Sequence, residues 1–514
     1  MAGKPFPRDL PTAIMSPMSP NPRTPGRSGL LSLSVDRTSS VPLFRQLHSE
    51  LRRVILSGDA APGSRLPATR DLAAKLGVSR TSVVAVYEQL LAEGYVQGKV
   101  GAGTFVSRDI LQPPRELPSS KAAPSRLPSA RPLSVARYAG LKPDAGQFAA
   151  LPFNTGRCSV DGRTLKILRK LTTAQLRAPN ALWLGYSDPL GDPRLREALA
   201  HYLRASRGVQ CDPAQIMVLS GIQQAIDLVL KVLIEPGDAV WIEDPTYPAL
   251  HAALKAAQAD IVPVPVDGQG IVVSAGVAAS PMARAVYVTP SHQSPSGVVL
   301  SMARRLELLA WARDARSWVI EDDYDSEFRY AGRPLASLQG IDRGERVIYL
   351  GTFSKVIFPG LRLGYAVIPY ELLDAITAAR FLADRHPPGL IESVVTDFIE
   401  QGHFDAHIRR MSAQYRGARD YLAGALKTRL GEFLDVSTPD QGMNMLAPLH
   451  PGWDDASVAR AALERGVVVR PLSAFYVAAP PVSAVVLGFT GYDTITLQAG
   501  VDRLVSAFGD IVQQ

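Results

Sequence analysis

The 514-residue chain is 46% hydrophobic and 20% charged, a balance that lets a globular protein bury a large core and excludes fibrous, coiled-coil and collagenous classes. Its net charge of +7, from 55 Lys and Arg against 48 Asp and Glu, is modest for this length, so the location of the charge matters more than its size. Cys158 and Cys211 are too few for a disulfide framework, no apolar run is long enough to span a bilayer, and the Pro-, Ser- and Arg-rich start has no apolar signal core, so the expectation is a cytoplasmic, multidomain protein without a membrane partner.

Residues 1–38, with Ser-Pro-Met-Ser-Pro-Asn-Pro and few large apolar groups, read as a disordered tail, and Met15 and Met18 are alternative starts. From Val41 the texture changes. Leu43, Phe44, Leu47, Leu51, Val54, Ile55 and Leu56 recur at helical spacing until Gly58. Thr69 then reads as the N-cap of a short helix, Arg70 to Leu76, which Gly77 ends. Ser79 reads as the N-cap of a second helix whose apolar face is Val83, Val84, Tyr87, Leu90 and Leu91, with Arg80, Thr81 and Ser82 in its first turn. Two helices joined by a three-residue turn containing glycine make the helix-turn-helix pattern, whose second helix meets base edges with its N-terminal residues. Tyr95 to Val106 reads as two short strands around a glycine-rich tip, a wing, with Lys99 placed to enter a minor groove or touch phosphate. Between residues 41 and 108 there are nine basic residues against five acidic ones.

The runs Val41-Pro42-Leu43-Phe44-Arg45-Gln46-Leu47, Pro62 to Ala73, Gly77-Val78-Ser79-Arg80, Tyr87-Glu88-Gln89-Leu90, Glu93-Gly94-Tyr95 and Gly101 to Val106 closely resemble the GntR-type winged helix. The resemblance implies a DNA-binding domain over residues 39–108 and a double-stranded operator as partner. Arg65, Arg70 and Arg80 would contact that operator, with Thr81, Ser82 and the wing's Lys99 beside them. Residues 109–150, rich in Pro, Ser and Arg and without a hydrophobic period, read as a semi-extended linker.

Beyond Leu151, short Val/Ile-rich runs alternate with helical patterns: Ile216–Leu219, Ala239–Ile242, Ala285–Val288, Ser317–Ile320, Val347–Leu350 and Tyr365–Ile368. That order predicts a largely parallel α/β sheet with its ligand site at the carboxyl ends of the strands. Candidate residues stand at those ends. Gly221 opens a helix, where Ile222 and Gln223 present free N–H groups to a phosphate. Tyr247 is placed to stack on a planar heterocycle. Asp322 and Tyr324, two apart, face one side; a carboxylate keeps a pyridine nitrogen protonated, and a phenol hydrogen-bonds a ring oxygen. Lys355, closing Thr352-Phe353-Ser354-Lys355, is the candidate nucleophile, because a half-buried amine pushed toward its neutral form condenses with an aldehyde. Arg362, across a Pro-Gly turn, is the candidate phosphate ligand. No histidine cluster accompanies the acids, so no metal site is expected.

In order and spacing, Gly221, Tyr247, Asp322, Tyr324, Lys355 and Arg362 resemble fold-type I, aspartate-aminotransferase-like proteins over residues 151–514. Pro290 to Gly297, Glu321 to Tyr330 and Gly351 to Lys355 resemble the MocR subfamily in particular, in which a GntR-type winged helix is fused to an aminotransferase-like domain. The fold class implied is multidomain: a winged helix-turn-helix plus a large α/β domain that binds pyridoxal 5'-phosphate through a Schiff base on Lys355. His292 or Gln293 would approach the ring oxygen, Thr352 would join the cofactor site, and Tyr186 would reach the phosphate of a neighbouring subunit in a homodimer. One departure is Val486, in Ala484-Val485-Val486-Leu487-Gly488-Phe489, where aminotransferases carry a carboxylate-binding arginine; Arg470 could substitute for it or could equally serve structure or face solvent. The implied function is transcriptional regulation governed by pyridoxal phosphate or an amino compound that reacts with it, not enzymatic turnover. The alternative is an aminotransferase with a fused DNA-binding module.

Overall fold

The computed structural model describes residues 33–99, 101–108, 138, 150–179, 184–332, 335–478 and 482–512. The expected tail through residue 32 and nearly all of the expected linker lie outside the described residues. The chain divides into two compact units, Met1–Ser129 and Ala130–Gln514.

In the first unit, helices α1 (Leu43–Leu56), α2 (Thr69–Leu76) and α3 (Arg80–Ala92) precede an antiparallel hairpin of β1 (Val96–Lys99) and β2 (Gly103–Val106). Leu47, Leu51, Val54 and Ile55 of α1 pack on Val83, Val86, Tyr87 and Leu90 of α3. The buried stripe of α3 thus includes Val86 rather than Val84, and Leu91 is 50% exposed. Ser79 caps α3 as expected, its side chain accepting from the Ser82 N–H at 3.1 Å. Thr69 does not cap α2: it is the first helical residue, and Ala68 holds the cap position without a side-chain bond. Leu33 is buried in this core and Asp36 accepts from Thr38, so the unit's packing starts inside the stretch that composition marks as tail.

The second unit is built on an eight-stranded sheet. Its strands are β3 (Ile216–Leu219), β4 (Ala239–Asp244), β5 (Asp260–Asp267), β6 (Gly270–Ile271), β7 (Ala285–Val288), β8 (Trp318–Asp323), β9 (Val347–Thr352) and β10 (Gly364–Val367), in spatial order β3-β10-β9-β8-β7-β4-β5-β6. The pairs β5–β4–β7–β8–β9 are parallel, whereas β10 is antiparallel to both neighbours. The eleven residues between β9 and β10 are too few for a crossover, so the chain turns straight back. That reversal brings the entry to β10, with Arg362, to the edge where the parallel strands end. A smaller antiparallel sheet pairs β11 (Asn444–Pro448), β13 (Ala484–Gly488) and β12 (Arg470–Pro471), in that spatial order.

Burial of the strand ends takes several carboxyl groups out of water. Glu243, Glu321 and Glu327 are each pushed up to about 7, chiefly by desolvation. Groups with raised acid pKa values bind more protons in the native chain than in the unfolded one between about 4.5 and about 7, so their contribution to stability is present at the acid end and lost as pH rises through 7. The unfolding midpoint of the second unit is therefore expected to fall between about pH 5 and about pH 8, with Glu243→Gln flattening the dependence; thermal melts across that range check this. In the first unit, Leu51→Ala is expected to cost about 3 kcal/mol of its stability, read by denaturant melting, because Leu51 is fully buried between α1 and α3.

Candidate functional site

Asp322 lies at the end of β8, 5% exposed. Tyr287, on β7, donates its hydroxyl to Asp322 Oδ2, while Asp322 Oδ1 is buried with no hydrogen-bond partner. Burial pushes the Asp322 carboxyl up to about 7; the Tyr287 bond and the nearby Lys355 amine oppose that shift, and Asp323 and Asp325 reinforce it. Period-two alternation sends Asp323 to the opposite face, where it accepts from Arg207 Nε at 2.7 Å and from the Tyr349 hydroxyl at 2.6 Å.

Beyond β8, the Tyr324 hydroxyl lies 3.1 Å from His292 Nδ1 and also bonds the Ser294 side chain. Burial, with Asp325 and Asp322 nearby, holds the Tyr324 phenol well above its ordinary range and therefore protonated. His292 Nδ1 is 3.0 Å from Asp325 Oδ2, so the dyad backs the tyrosine. The two loop residues left open by the sequence separate here. Gln293 donates to Pro245 O and Ser294 O and accepts from Ser296 N and Oγ, so its amide is used up in shaping the loop. His292 alone of the two faces Tyr324.

Lys355 follows β9 in a turn, half-buried. A Cβ placed on Gly156 would sit 2.6 Å from its Nζ, so the segment Asn154–Gly156 runs across the amine. Cys158 Sγ donates to Lys355 O at 3.1 Å and holds that turn from below. Thr352 Oγ1 accepts from Ser354 N at 3.0 Å, which occupies it in the same turn, whereas Ser354 Oγ is buried without a partner.

Gly221 has φ +107°, which only glycine adopts freely, and forms the N-cap of the helix Ile222–Leu233. The first N–H groups of that helix, from Ile222 onward, have no intrahelical acceptor. The Arg362 guanidinium stands over this turn, 3.8 Å from where a Gly221 Cβ would be. Arg362 itself is exposed and left-handed at φ +50°. A Cβ on Gly364 would meet Gly221 Cα and Gly351 O at 2.9 Å, so glycines let the ends of β3, β9 and β10 close on one another. From behind, Gln224 Oε1 accepts from Ser220 N at 2.7 Å and from the fully buried Arg380. Tyr247 caps the helix after β4, 38% exposed, close enough to Asp322 and Arg362 to feel both charges.

Two further candidates are Tyr186 and Arg470. Tyr186 is 82% exposed, its ring against Arg385 at 4.8 Å and His386 at 5.9 Å. Arg470 pairs with Val486 across β12 and β13 and donates to Asn154 Oδ1 at 3.4 Å, so the rung that lacks an arginine on β13 has one on β12.

The residues of this strand-end cluster fit pyridoxal phosphate. The unpaired Asp322 Oδ1 matches a pyridine nitrogen, and the glycine-lined helix start with Ser354 Oγ and Arg362 matches a phosphate. Ser354, Ser294 and Tyr287 were missed from sequence. Thr-Phe-Ser-Lys did place Ser354 two residues from Thr352, but nothing local says which hydroxyl the turn consumes. Among the described residues no group of three or more His, Cys, Asp or Glu is arranged to hold a metal ion.

On the first unit, Arg65, Arg70, Arg80, Thr81 and Lys99 are exposed, and among the described residues no carboxylate lies within ion-pair distance of their charged members. A Cβ on the wing's Gly103 would stand 3.0 Å from Arg65 Nε, and Lys99 Nζ lies 5.2 Å from the Phe105 ring. Ser82 is less available, since its hydroxyl is 2.8 Å from Ser79 Oγ in the cap.

The family of aminotransferase class I and II matches residues 150–501, and the gntR family of bacterial regulatory proteins matches residues 43–106. The chain is 36% identical over 476 residues to the probable rhizopine catabolism regulatory protein MocR of Rhizobium meliloti, covering 93% of this chain and 96% of that one. It is 30% identical to the pyridoxine biosynthesis transcriptional regulator PdxR of Corynebacterium glutamicum, over 91% and 96% of the two chains. Among solved structures, the kynurenine aminotransferase of Pyrococcus horikoshii superposes with a TM-score of 0.65 at 28% identity, over 75% of this chain and 96% of that one. The chain belongs to the MocR subfamily of GntR-type transcriptional regulators, a winged helix followed by a domain of the class I and II aminotransferase family.

Proposed function

We propose that the second unit binds pyridoxal phosphate and that its occupancy, or reaction of the bound aldehyde with an amino compound, changes operator binding by the first unit. The observation that carries this reading is the buried Asp322 carboxylate with one oxygen satisfied by Tyr287 and the other left unpaired. When bound, the cofactor supplies an aldehyde conjugated to an electron-withdrawing ring. Asp322 Oδ1 holds a proton at the ring nitrogen, and Lys355 Nζ presents its amine to the aldehyde. Ser354 Oγ, Arg362 and the N–H groups of Ile222 and Gln223 receive the phosphate. Tyr247 covers one ring face. Tyr324, backed by His292 and Ser294, donates to the ring oxygen, while Gln293 and Thr352 shape the loops that hold these groups.

The exposed Tyr186 supports a homodimer in which it reaches the neighbour's phosphate. In this reading the protein works in the cytoplasm as a regulator rather than by turnover. Arg470, on the rung of Val486, favours a second reading in which an amino acid is held by its carboxylate and undergoes half-transamination. Steady-state amino transfer across a panel of amino acids separates the two.

Titration with pyridoxal phosphate is expected to give the wild type a lysine-dependent absorbance band near the visible edge that Lys355→Ala lacks. Asp322→Asn is expected to weaken cofactor binding about ten- to a hundredfold, the worth of a buried charge-assisted hydrogen bond. No band in the wild type removes the cofactor reading. For the first unit, Arg80→Ala is expected to cost about 1–3 kcal/mol in affinity for the operator upstream of the protein's own gene, measured by mobility shift with and without cofactor.

A further inference from the structure

The helix Gly162–Arg177 of the second unit carries Arg163, Lys166, Arg169, Lys170 and Arg177 and no acidic residue. All five cations are exposed. Arg163, Lys166, Lys170 and Arg177 follow one another by three, four and seven residues, which places them on one stripe about 21 Å long, with Arg169 at its flank. The opposite face is fixed: Leu171 and Thr164 are buried, and Thr164 Oγ1 bonds His407 Nδ1 at 2.9 Å. The stripe therefore points outward by construction.

Among the described residues none of the five lies within ion-pair distance of a carboxylate. Exposed arginines elsewhere on this unit do: Arg194 pairs with Glu400, Arg429 with Asp502 and Arg465 with Asp510, each at 2.6 Å. The acid nearest in sequence, Asp161, is already committed, capping the helix through Thr164 N and pairing with Arg410. Like charges one turn apart on a helix repel one another. Among the described residues that cost has no intramolecular return, and a polyanion would supply one.

We propose that this stripe is a second DNA-contacting surface, which binds backbone phosphates of duplex outside the segment held by the winged helix. Duplex DNA is the occupant because the same chain carries a gntR-family domain, so a rod with one charge per about 1.7 Å is tethered at high local concentration. Such contacts add affinity and salt dependence without sequence preference. The inference rests on DNA binding by the winged helix.

The test uses the full-length protein, wild type beside the quadruple variant Arg163→Gln, Lys166→Gln, Lys170→Gln, Arg177→Gln, whose positions are all exposed. Binding to random-sequence duplexes of about 20 and about 60 base pairs is followed by anisotropy over a salt series. On the long duplex the variant is expected to show a slope of log K against log salt shallower by up to about 3.6, at roughly 0.9 for each of four lost phosphate contacts, with little change on the short one. Unaltered circular dichroism shows that the variant is folded. Equal slopes on the long duplex overturn the proposal; if the variant then loses binding to phosphatidylglycerol vesicles, the stripe faces a membrane instead. Arg80→Ala, run in parallel, tests the winged helix by itself: undiminished binding to both duplexes would sink that reading, whatever the stripe does.

Discussion

The second unit is organised by a carboxylate that is half satisfied. Leaving an oxygen of a buried acid without a donor costs a few kcal/mol or forces the group to hold its proton, and Asp322 responds with a carboxyl raised to about 7. The surroundings do not relax to cover that oxygen. Tyr287 takes Oδ2 from the next strand, and Asp323 is turned to the other face by its own bonds to Arg207 and Tyr349. Tyr287 and Tyr349 are fixed by strand register and Arg207 by the end of the helix Pro193–Arg207, so the open oxygen is built in by the fold rather than left by accident of packing.

The sequence made some of this legible and hid the rest for identifiable reasons. Period two separates Asp322 from Asp323, and a serine before a helix predicts the cap at Ser79, because both depend on residues close in the chain. Val86 replaced Val84 in the core of α3 because α1 decides which side of the helix is covered, and that helix lies some thirty residues upstream. Thr69 lost its cap role because the turn before α2 is fixed by Leu66, whose N–H bonds Thr104 O on the wing. The direction of β10 follows from a connection too short for a crossover, which was countable from the sequence once the strands were known. Ser354, His292 and Arg470 could not be ranked against Thr352, Gln293 and Val486 without knowing which side chains the backbone consumes.

A regulator of this architecture needs more than two competent units. A ligand shifts DNA affinity only by the difference in its affinity for two global states. In the proposed homodimer, a Tyr186 that completed the neighbour's phosphate site would provide one such difference, since occupancy would then favour one arrangement of two chains over others. The Arg380–Gln224–Ser220 chain of bonds would provide a local route, because it fixes the backbone turn beneath the proposed phosphate position from a residue with no exposure of its own.

The distribution of charge around the strand ends narrows what such a site accepts. Asp322 and Asp325 crowd the end of β8, while the free N–H groups of the helix Ile222–Leu233 and the Arg362 guanidinium stand at the β3–β10 edge. Lys355 follows β9, which lies between β8 and β10 in the sheet. A ligand that is cationic at one end and doubly anionic at the other meets complementary charge at both, whereas a simple dicarboxylate would bring one carboxylate against Asp322. Arg470 adds a cation beside Asn154, in the segment that runs over the lysine, and so offers an anchor for a carboxylate near the amine rather than near the phosphate. That polarity is complementary to the proposed cofactor, a phosphorylated pyridine aldehyde, and on the Arg470 side to the anion of an amino compound that would react with it.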